Sequence, residues 1–189
     1  SVACIIRHEG KPLKIVGLTQ ILTSYEVELL AAIVGVVGAG ILGQTLDLPV
    51  PSMSIASDCA QVVRFINLRP EGARRKQFPL ERLLMNAVAG MQVEAVYVRG
   101  HAGHGGNEAC HRACAWVNRQ SDKLLRIYGE GALGQLSHYR PGHAWHLIDL
   151  RQIDFKLNCE PSRICEKLAE KLARVFELWS SCQTSSCRD

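Results

Sequence analysis

The chain has 189 residues, of which 47% are hydrophobic and 21% are charged, and its formal net charge is +4. This composition is typical of a globular protein with a sizeable core, and it excludes an intrinsically disordered chain. The basic excess is compatible with a nucleic-acid partner but is too small to establish one. The length suits one domain with an extension.

Eight cysteines raise the question of a disulfide framework. They lie mostly within apolar periodic segments, and the chain is long enough to fold without disulfides. We therefore favour reduced, mainly buried thiols in an intracellular protein over a secreted, disulfide-bonded one.

The longest apolar stretch runs from Val27 to Leu42. It is too short for a membrane span, contains Glu28 and is interrupted by glycines. The stretch predicts a buried helix, and we expect no membrane partner.

The first two predicted strands form a hairpin. Val2 to Arg7 is a short apolar strand, and Leu13 to Leu22 is a second apolar segment after a turn signal. Thr23 and Glu26 have the spacing of a capping box, which predicts that a helix begins near Ser24.

Apolar periodic segments continue beyond this helix. Met53 to Ala56 predicts a buried strand that ends at Asp58, and a helix follows from Cys59 to just before Pro70. A basic connection, a second helix to Gly90, a further strand, a glycine-rich loop and another helix come next. This alternation indicates an α/β domain with a mixed sheet.

The chain changes character beyond residue 122, because residues 128–142 are rich in glycine and polar side chains. We place a domain over residues 1–122 and an extension over residues 123–189. An apolar stripe predicts an amphipathic helix near residues 162–180, which we interpret as packed on the domain, with a partner-binding helix as the alternative. The stripe comprises Ile164, Leu168, Leu172, Val175, Phe176 and Trp179.

The segment from Val98 to His111 follows a predicted strand and opens a helix. Its sequence, Val-Arg-Gly-His-Ala-Gly-His-Gly-Gly-Asn-Glu-Ala-Cys-His, resembles the last motif of the ribonuclease H family. Glu28 at a helix start and Asp58 at a strand end fall where that family has its second and third metal-binding carboxylates. The resemblance extends over residues 1–122 and implies a ribonuclease H-like, mixed five-stranded sheet flanked by helices.

The resemblance also implies a chemistry. The family hydrolyses phosphodiesters with two Mg²⁺ ions, which activate a water and stabilise the leaving oxygen. Magnesium prefers oxygen ligands, so the resemblance assigns Glu28 and Asp58 as metal and catalytic residues. It assigns His104 as a loop histidine near the scissile phosphate, and His101 as a support for the loop.

The sequence departs from the family at the metal site. The family's first strand, which carries the first carboxylate, lies upstream of the hairpin, so that strand is absent from this chain. His111 stands where the family has its fourth carboxylate, and imidazole suits transition metals better than magnesium. Glu108, three residues earlier, is an alternative replacement.

The positions that read the substrate also differ. Ser24 and Tyr25 stand where the family commonly has two asparagines, and Ala60 stands where it often has a glutamine. Those amides contact the minor groove of an RNA–DNA hybrid, where the 2′-hydroxyls are displayed.

Three further clusters have two interpretations each. A zinc site is conceivable at His101, His104, Cys110, His111 and Cys114, but the irregular spacing favours core packing. A solvated or packing role is likewise favoured for His138, His143 and His146. The run Arg74-Arg75-Lys76 is either a solvated charge run or a phosphate-binding loop, because some ribonuclease H relatives carry a basic protrusion there.

These features predict a degenerate, non-catalytic ribonuclease H-like domain that serves as an RNA-binding or scaffolding component of a larger ribonucleoprotein or retroelement-derived assembly. The alternative is an active Mg²⁺-dependent ribonuclease H that cleaves the RNA strand of RNA–DNA hybrids, with its first catalytic aspartate on an upstream segment. The expected partners are RNA or a hybrid, and a protein or upstream segment that completes the sheet. Since the family's first strand is central, we expect residues 1–189 alone to fold poorly.

Overall fold

The structure is a computed structural model that describes residues 1–8, 11–45, 47, 52–68, 79–128, 134–135, 145–153, 155 and 160–185. The described strands are β1 (Val2–His8), β2 (Lys11–Leu18), β3 (Ser52–Ser57), β4 (Gln92–Tyr97), β5 (Gly134–Gln135) and β6 (Trp145–Asp149). The helices are α1 (Ser24–Thr45), α2 (Ala60–Leu68), α3 (Pro79–Ala87), α4 (Gly105–Tyr128) and α5 (Pro161–Ser185). The predicted α/β class, with a mixed sheet and flanking helices, is confirmed.

Helix α1 begins where the capping box predicts. The Thr23 backbone N–H donates to Glu26 Oε2 at 2.8 Å, and the Glu26 N–H donates to Thr23 Oγ1 at 3.3 Å. These reciprocal bonds satisfy N–H groups that have no partner within the helix. The predicted hairpin is also present, since β1 pairs antiparallel to β2 with Val2 opposite Gly17.

Helix α1 is apolar over most of its surface because other elements surround it. It contacts β1, α3 and α5, among others. Its length and composition alone would also suit a membrane span, but 50% of its most apolar window is buried inside the protein. A Cβ at Gly38 would lie 2.5 Å from Ile6 Cδ1, so α1 approaches β1 this closely only because residue 38 is glycine.

The strands form two sheets, where the family resemblance predicted one five-stranded sheet. One sheet has the order β1-β2-β6-β5, in which β2 and β6 are parallel and the other pairs are antiparallel. The second sheet contains β3 and β4, which are parallel. Among the described strands none pairs with both β1 and β3, so the two sheets are separate.

Strand β6 lies in the extension, between the glycine-rich residues 128–142 and the predicted helix, where no element was assigned from the sequence. It extends the first sheet by pairing with β2, and all five of its residues are buried. A strand that is covered on both faces has no alternation of apolar and polar residues, which is the signal that reveals half-buried strands.

The predicted amphipathic helix of the extension packs on the rest of the protein. Helix α5 contacts α1 and α3, and its apolar stripe joins the same core as that of α1. The interpretation as a packed helix is confirmed for this stripe, whose buried members are Ile164, Leu168, Leu172, Val175 and Phe176. The side chain of Trp179 lies outside the described part, and α4 continues to Tyr128, past the boundary placed at residue 122.

Candidate functional site

The candidate site lies at the carboxyl end of β3, where Asp58 follows the strand. Ser57 Oγ accepts a hydrogen bond from the Cys59 N–H at 3.1 Å, and the Ser57 carbonyl accepts one from the Val98 N–H at 3.0 Å. These bonds fix the chain on both sides of Asp58. A Cβ at Gly100 would lie 2.9 Å from Asp58 Oδ2, so the loop after β4 passes close to the carboxylate because residue 100 is glycine.

Helix α4 brings two polar side chains to Asp58. Asn107 and His111 are four residues apart, so they lie on the same face of the helix. Asn107 Nδ2 donates to Asp58 Oδ2 at 3.0 Å, and His111 Nε2 lies 2.9 Å from the same oxygen. Because the acceptor is a carboxylate, His111 Nε2 is assigned the hydrogen of this bond.

The two carboxyl groups at the site have opposite pKa shifts. Partial burial acts to raise the pKa of Asp58, but hydrogen bonds from Asn107 and His111 and the charge of His111 together hold it below its ordinary value. The pKa of Glu28 is raised, first by burial and then by the negative charge of Asp58, while His111 acts to lower it. Glu28 and Asp58 are therefore close enough to interact, and Asp58 holds the negative charge more readily.

The loop between β4 and α4 is held by its own hydrogen bonds. The Gly103 N–H donates to Glu108 Oε1 at 2.9 Å, and the Asn107 N–H donates to His104 Nδ1 at 3.2 Å. Glu108 also forms an ion pair with Arg112 at 3.5 Å. His104 thus caps the first turn of α4. Glu108 is thus engaged within its own loop and helix.

The structure pairs two of the predicted site residues, Asp58 and His111, at 2.9 Å, and Glu28 lies near enough for both to affect its pKa. The ring of His101 packs beside that of His111, with 5.2 Å between the ring centroids. Asn107 was not predicted to belong to the site. Its position one helical turn before His111 is the sequence signal that would have placed it there.

Other predicted residues lie apart from the site or outside the described residues. Arg74, Arg75 and Lys76 are outside the described residues, as are His138 and His143. His146 lies in β6, where it is buried and burial lowers its pKa. The structure therefore does not test whether the basic run binds phosphate.

The cysteines near the site have the properties of core residues. Burial, followed by the proximity of Cys114, raises the pKa of Cys110 to about 12, and burial also raises the pKa of Cys114. Within the described ranges, no three His, Cys, Asp or Glu side chains converge on a common metal position. Core packing, rather than zinc binding, fits Cys110 and Cys114.

The residues present do not fit a Mg²⁺ ion. Two hydrogen bonds already satisfy Asp58 Oδ2, and the raised pKa of Glu28 opposes a second negative charge. The group opposite Asp58 is an imidazole, whereas Mg²⁺ prefers an octahedron of oxygen ligands. Instead, Asn107 and His111 balance the negative charge of Asp58 through hydrogen bonds from the chain itself.

Neither a protein-family model, nor a curated protein, nor a solved structure matches this chain. The likeness to ribonuclease H consequently rests on the Val98 to His111 motif, on the two matched carboxylates and on the order of the elements.

Proposed function

We propose that this chain is a degenerate ribonuclease H-like domain that no longer hydrolyses nucleic acid and acts as an RNA-binding or scaffolding component of a larger ribonucleoprotein or retroelement-derived assembly. The order of elements from β1 to α4 supports the fold assignment, since a hairpin, a helix, two parallel strands separated by helices, and a final helix follow one another as the resemblance implies. The free thiols among the described cysteines support an intracellular location.

One observation carries the loss of catalysis. His111 and Asn107, both on the helix that supplies the family's fourth carboxylate, contact Asp58 Oδ2. A metal ion at that oxygen would have to displace two hydrogen bonds, one of them from a group that becomes cationic when protonated. The side chains of Asn107 and His111 therefore occupy the position where the family binds a divalent ion.

Exposed side chains beside the site, at the end of β4 and on the loop that follows, are of types that bind nucleic acid. Tyr97 is 52% exposed at the end of β4, and Arg99, His101 and His104 are exposed on the loop that follows. An exposed aromatic ring can stack on an unpaired base, and neighbouring cationic or hydrogen-bonding side chains can contact phosphates. These side chains suit a single-stranded or looped RNA better than a duplex, because the stacking requires an accessible base face.

A hybrid-cleavage assay tests the proposal. We expect the chain to show little or no hydrolysis of an RNA–DNA hybrid in Mg²⁺, because Asp58 is paired with His111, which stands where the family has its fourth carboxylate. An active ribonuclease H is the positive control, and Asp58→Asn is the matched variant that removes the charge of Asp58.

Turnover within about tenfold of the active control, abolished by Asp58→Asn, would overturn the loss of catalysis. Activity that is much weaker and appears only with Mn²⁺ would agree with the proposal, because it would indicate residual geometry at a site that does not fit magnesium.

A second candidate function is an active ribonuclease H that obtains its first aspartate from an upstream segment. The effect of Asp58 on the pKa of Glu28 favours it, because the two family-matched carboxylates still lie near each other. The same assay on a polypeptide extended upstream of Ser1 distinguishes the two. Strong Mg²⁺-dependent cleavage by the extended polypeptide, lost in Asp58→Asn, would favour the enzyme.

A further inference from the structure

The exposed side of helix α4 carries a row of basic side chains. The helix contains four basic and two acidic residues, so its net charge is +2 with histidine counted as neutral, half of the +4 of the whole chain. Because an α-helix has 3.6 residues per turn, the four basic residues project within about 60° of one another around its axis. All four are exposed, and we call them the α4 basic row: Arg112, Arg119, Lys123 and Arg126.

The apolar side of α4 fixes the direction in which this row points. Ala113, Val117 and Leu124 are buried in the cluster that packs the helix on β1 and β2. These residues lie on the other side of the helix from the basic row. The packing of α4 therefore holds the row toward solvent, and the side chain of Arg112 is 64% exposed.

Little negative charge balances the α4 basic row. Glu108 pairs with Arg112 at 3.5 Å, whereas Asp122, the other acidic residue of α4, is exposed beside the row. Among the described residues, no carboxylate forms an ion pair with the other three members of the row. Like charges three or four residues apart on a helix repel each other. An anion that lies along the row would relieve this repulsion.

Helix α5 shows how a surface helix looks when its charges balance one another. Its four basic residues are accompanied by three glutamates, Glu166, Glu170 and Glu177. Glu170 is three residues after Lys167 and four before Arg174, at the spacings that favour pairs of opposite charge. The basic side chains of α5 thus have acidic neighbours along the helix, which most of the α4 basic row lacks.

The α4 basic row begins at the loop that precedes the helix. The Gly103 N–H donates to Glu108 Oε1 at 2.9 Å, and the same carboxylate pairs with Arg112. Arg99 and His104 are exposed on this loop, and Tyr97 is exposed where the loop leaves β4. The exposed side chains proposed to bind RNA are therefore continuous with the first member of the row.

The shape and composition of the row favour a nucleic-acid strand over a membrane. The distance along the axis from Arg112 to Arg126 is about 21 Å at 1.5 Å per residue. A strand of B-form DNA has one phosphate per about 3.4 Å of its axis, so a row of this length can face several consecutive phosphates. A helix that binds a membrane surface inserts large apolar side chains beside its cations. The large apolar side chains that are exposed in the described residues all lie outside α4.

We propose that the α4 basic row binds the phosphate backbone of a single RNA strand, which runs along α4 away from the loop that carries Arg99 and His104. This inference rests on the proposed RNA binding and names the surface that supplies most of its affinity. Contacts with phosphates carry no information about base sequence. Binding through the row is therefore independent of sequence, and Tyr97 is left to contact a base.

The salt dependence of RNA binding by the full chain tests the row. The probe is a fluorescent single-stranded oligouridine, which forms no duplex that would complicate the isotherm. Three cations of the row are replaced together, and Arg112 is retained because it pairs with Glu108. We expect the variant to bind at least about tenfold more weakly at low salt, with a salt slope reduced by about two units. The variant is Arg119→Ala/Lys123→Ala/Arg126→Ala.

A matched variant of α5 controls for the change in net charge. Replacement of Lys167, Lys171 and Arg174 by alanine removes the same three charges from another surface helix. We expect this variant to retain the affinity and the salt slope of the unaltered chain to within about twofold, because its charges lie outside the proposed path.

A footprint on the unaltered chain makes the test independent of how any variant folds. Lys123 is the only lysine of α4, and Lys167 is an exposed lysine of α5. Acetylation by acetic anhydride, followed by mass spectrometry, measures the accessibility of each amine. We expect saturating oligouridine to slow the acetylation of Lys123 at least severalfold and to leave that of Lys167 unchanged.

The outcomes separate this inference from the proposed function. If the unaltered chain fails to bind oligouridine, the proposed RNA binding is wrong and the inference is wrong with it. If the chain binds but the α4 variant keeps its affinity and slope, or Lys123 is not protected, only the inference is overturned. Binding of the row to vesicles of phosphatidylcholine and phosphatidylserine that oligouridine does not displace would assign it to a membrane and would also overturn the inference.

Discussion

Asp58 illustrates how two neighbouring side chains decide the charge of a third. Its hydrogen bonds with Asn107 and His111 overcome the effect of partial burial on its pKa, whereas Glu28 lacks this advantage and its pKa is raised. A carboxyl group with a lowered pKa stabilises the folded chain above its ordinary pKa of about 3.9, and this contribution is lost as pH falls through the lowered pKa. The contribution of Glu28 to stability has the opposite pH dependence, because its pKa is raised and ionising it disfavours the folded chain as pH rises.

The variant His111→Ala separates these effects. We expect the pKa of Asp58 to rise toward its ordinary value, because the variant removes both a hydrogen bond and a nearby cationic group. Carboxyl chemical shifts followed over a pH titration measure this directly. Arg112→Ala is the matched control, since Arg112 is the next residue of α4 and pairs with Glu108 instead. An Asp58 pKa that is unchanged in His111→Ala would show that the pair does not hold the charge.

At the scale of elements, the sequence predicted correctly those features that depend only on residues close together in the chain. The start of α1 followed from Thr23 and Glu26, whose reciprocal bonds need no other part of the fold. The sequence could not reveal β6, because its pairing with β2 joins distant segments and both of its faces are buried. In the site, motif spacing located Asp58 and His111, but the contact between them depends on how α4 packs over the end of β3.

The connection between α2 and α3 carries a prediction about RNA. If Arg74, Arg75 and Lys76 contact phosphates, their joint replacement by alanine is expected to weaken RNA binding and to reduce the salt slope by roughly two to three units. Binding isotherms at several salt concentrations measure both quantities. The matched control replaces Lys167, Lys171 and Arg174, three basic residues of α5, by alanine. Unchanged affinity and slope in the loop variant would assign these residues to the solvated surface.

The whole molecule is held together by its helices more than by a continuous sheet. Helix α1 contacts β1, α2, α3 and α5, and α4 spans from β1 and β2 to the end of β3. The two sheets are therefore joined mainly through the helices that pack on the shared core.

Hybrid cleavage by the full chain in Mg²⁺, measured beside an active ribonuclease H, tests the proposed loss of the metal site most directly. We expect little or no turnover, because Asn107 and His111 both contact Asp58 Oδ2, where the family needs a divalent ion. Asp58→Asn is the control and is expected to leave that low level unchanged. Turnover within about tenfold of the active enzyme, abolished by Asp58→Asn, would contradict the account.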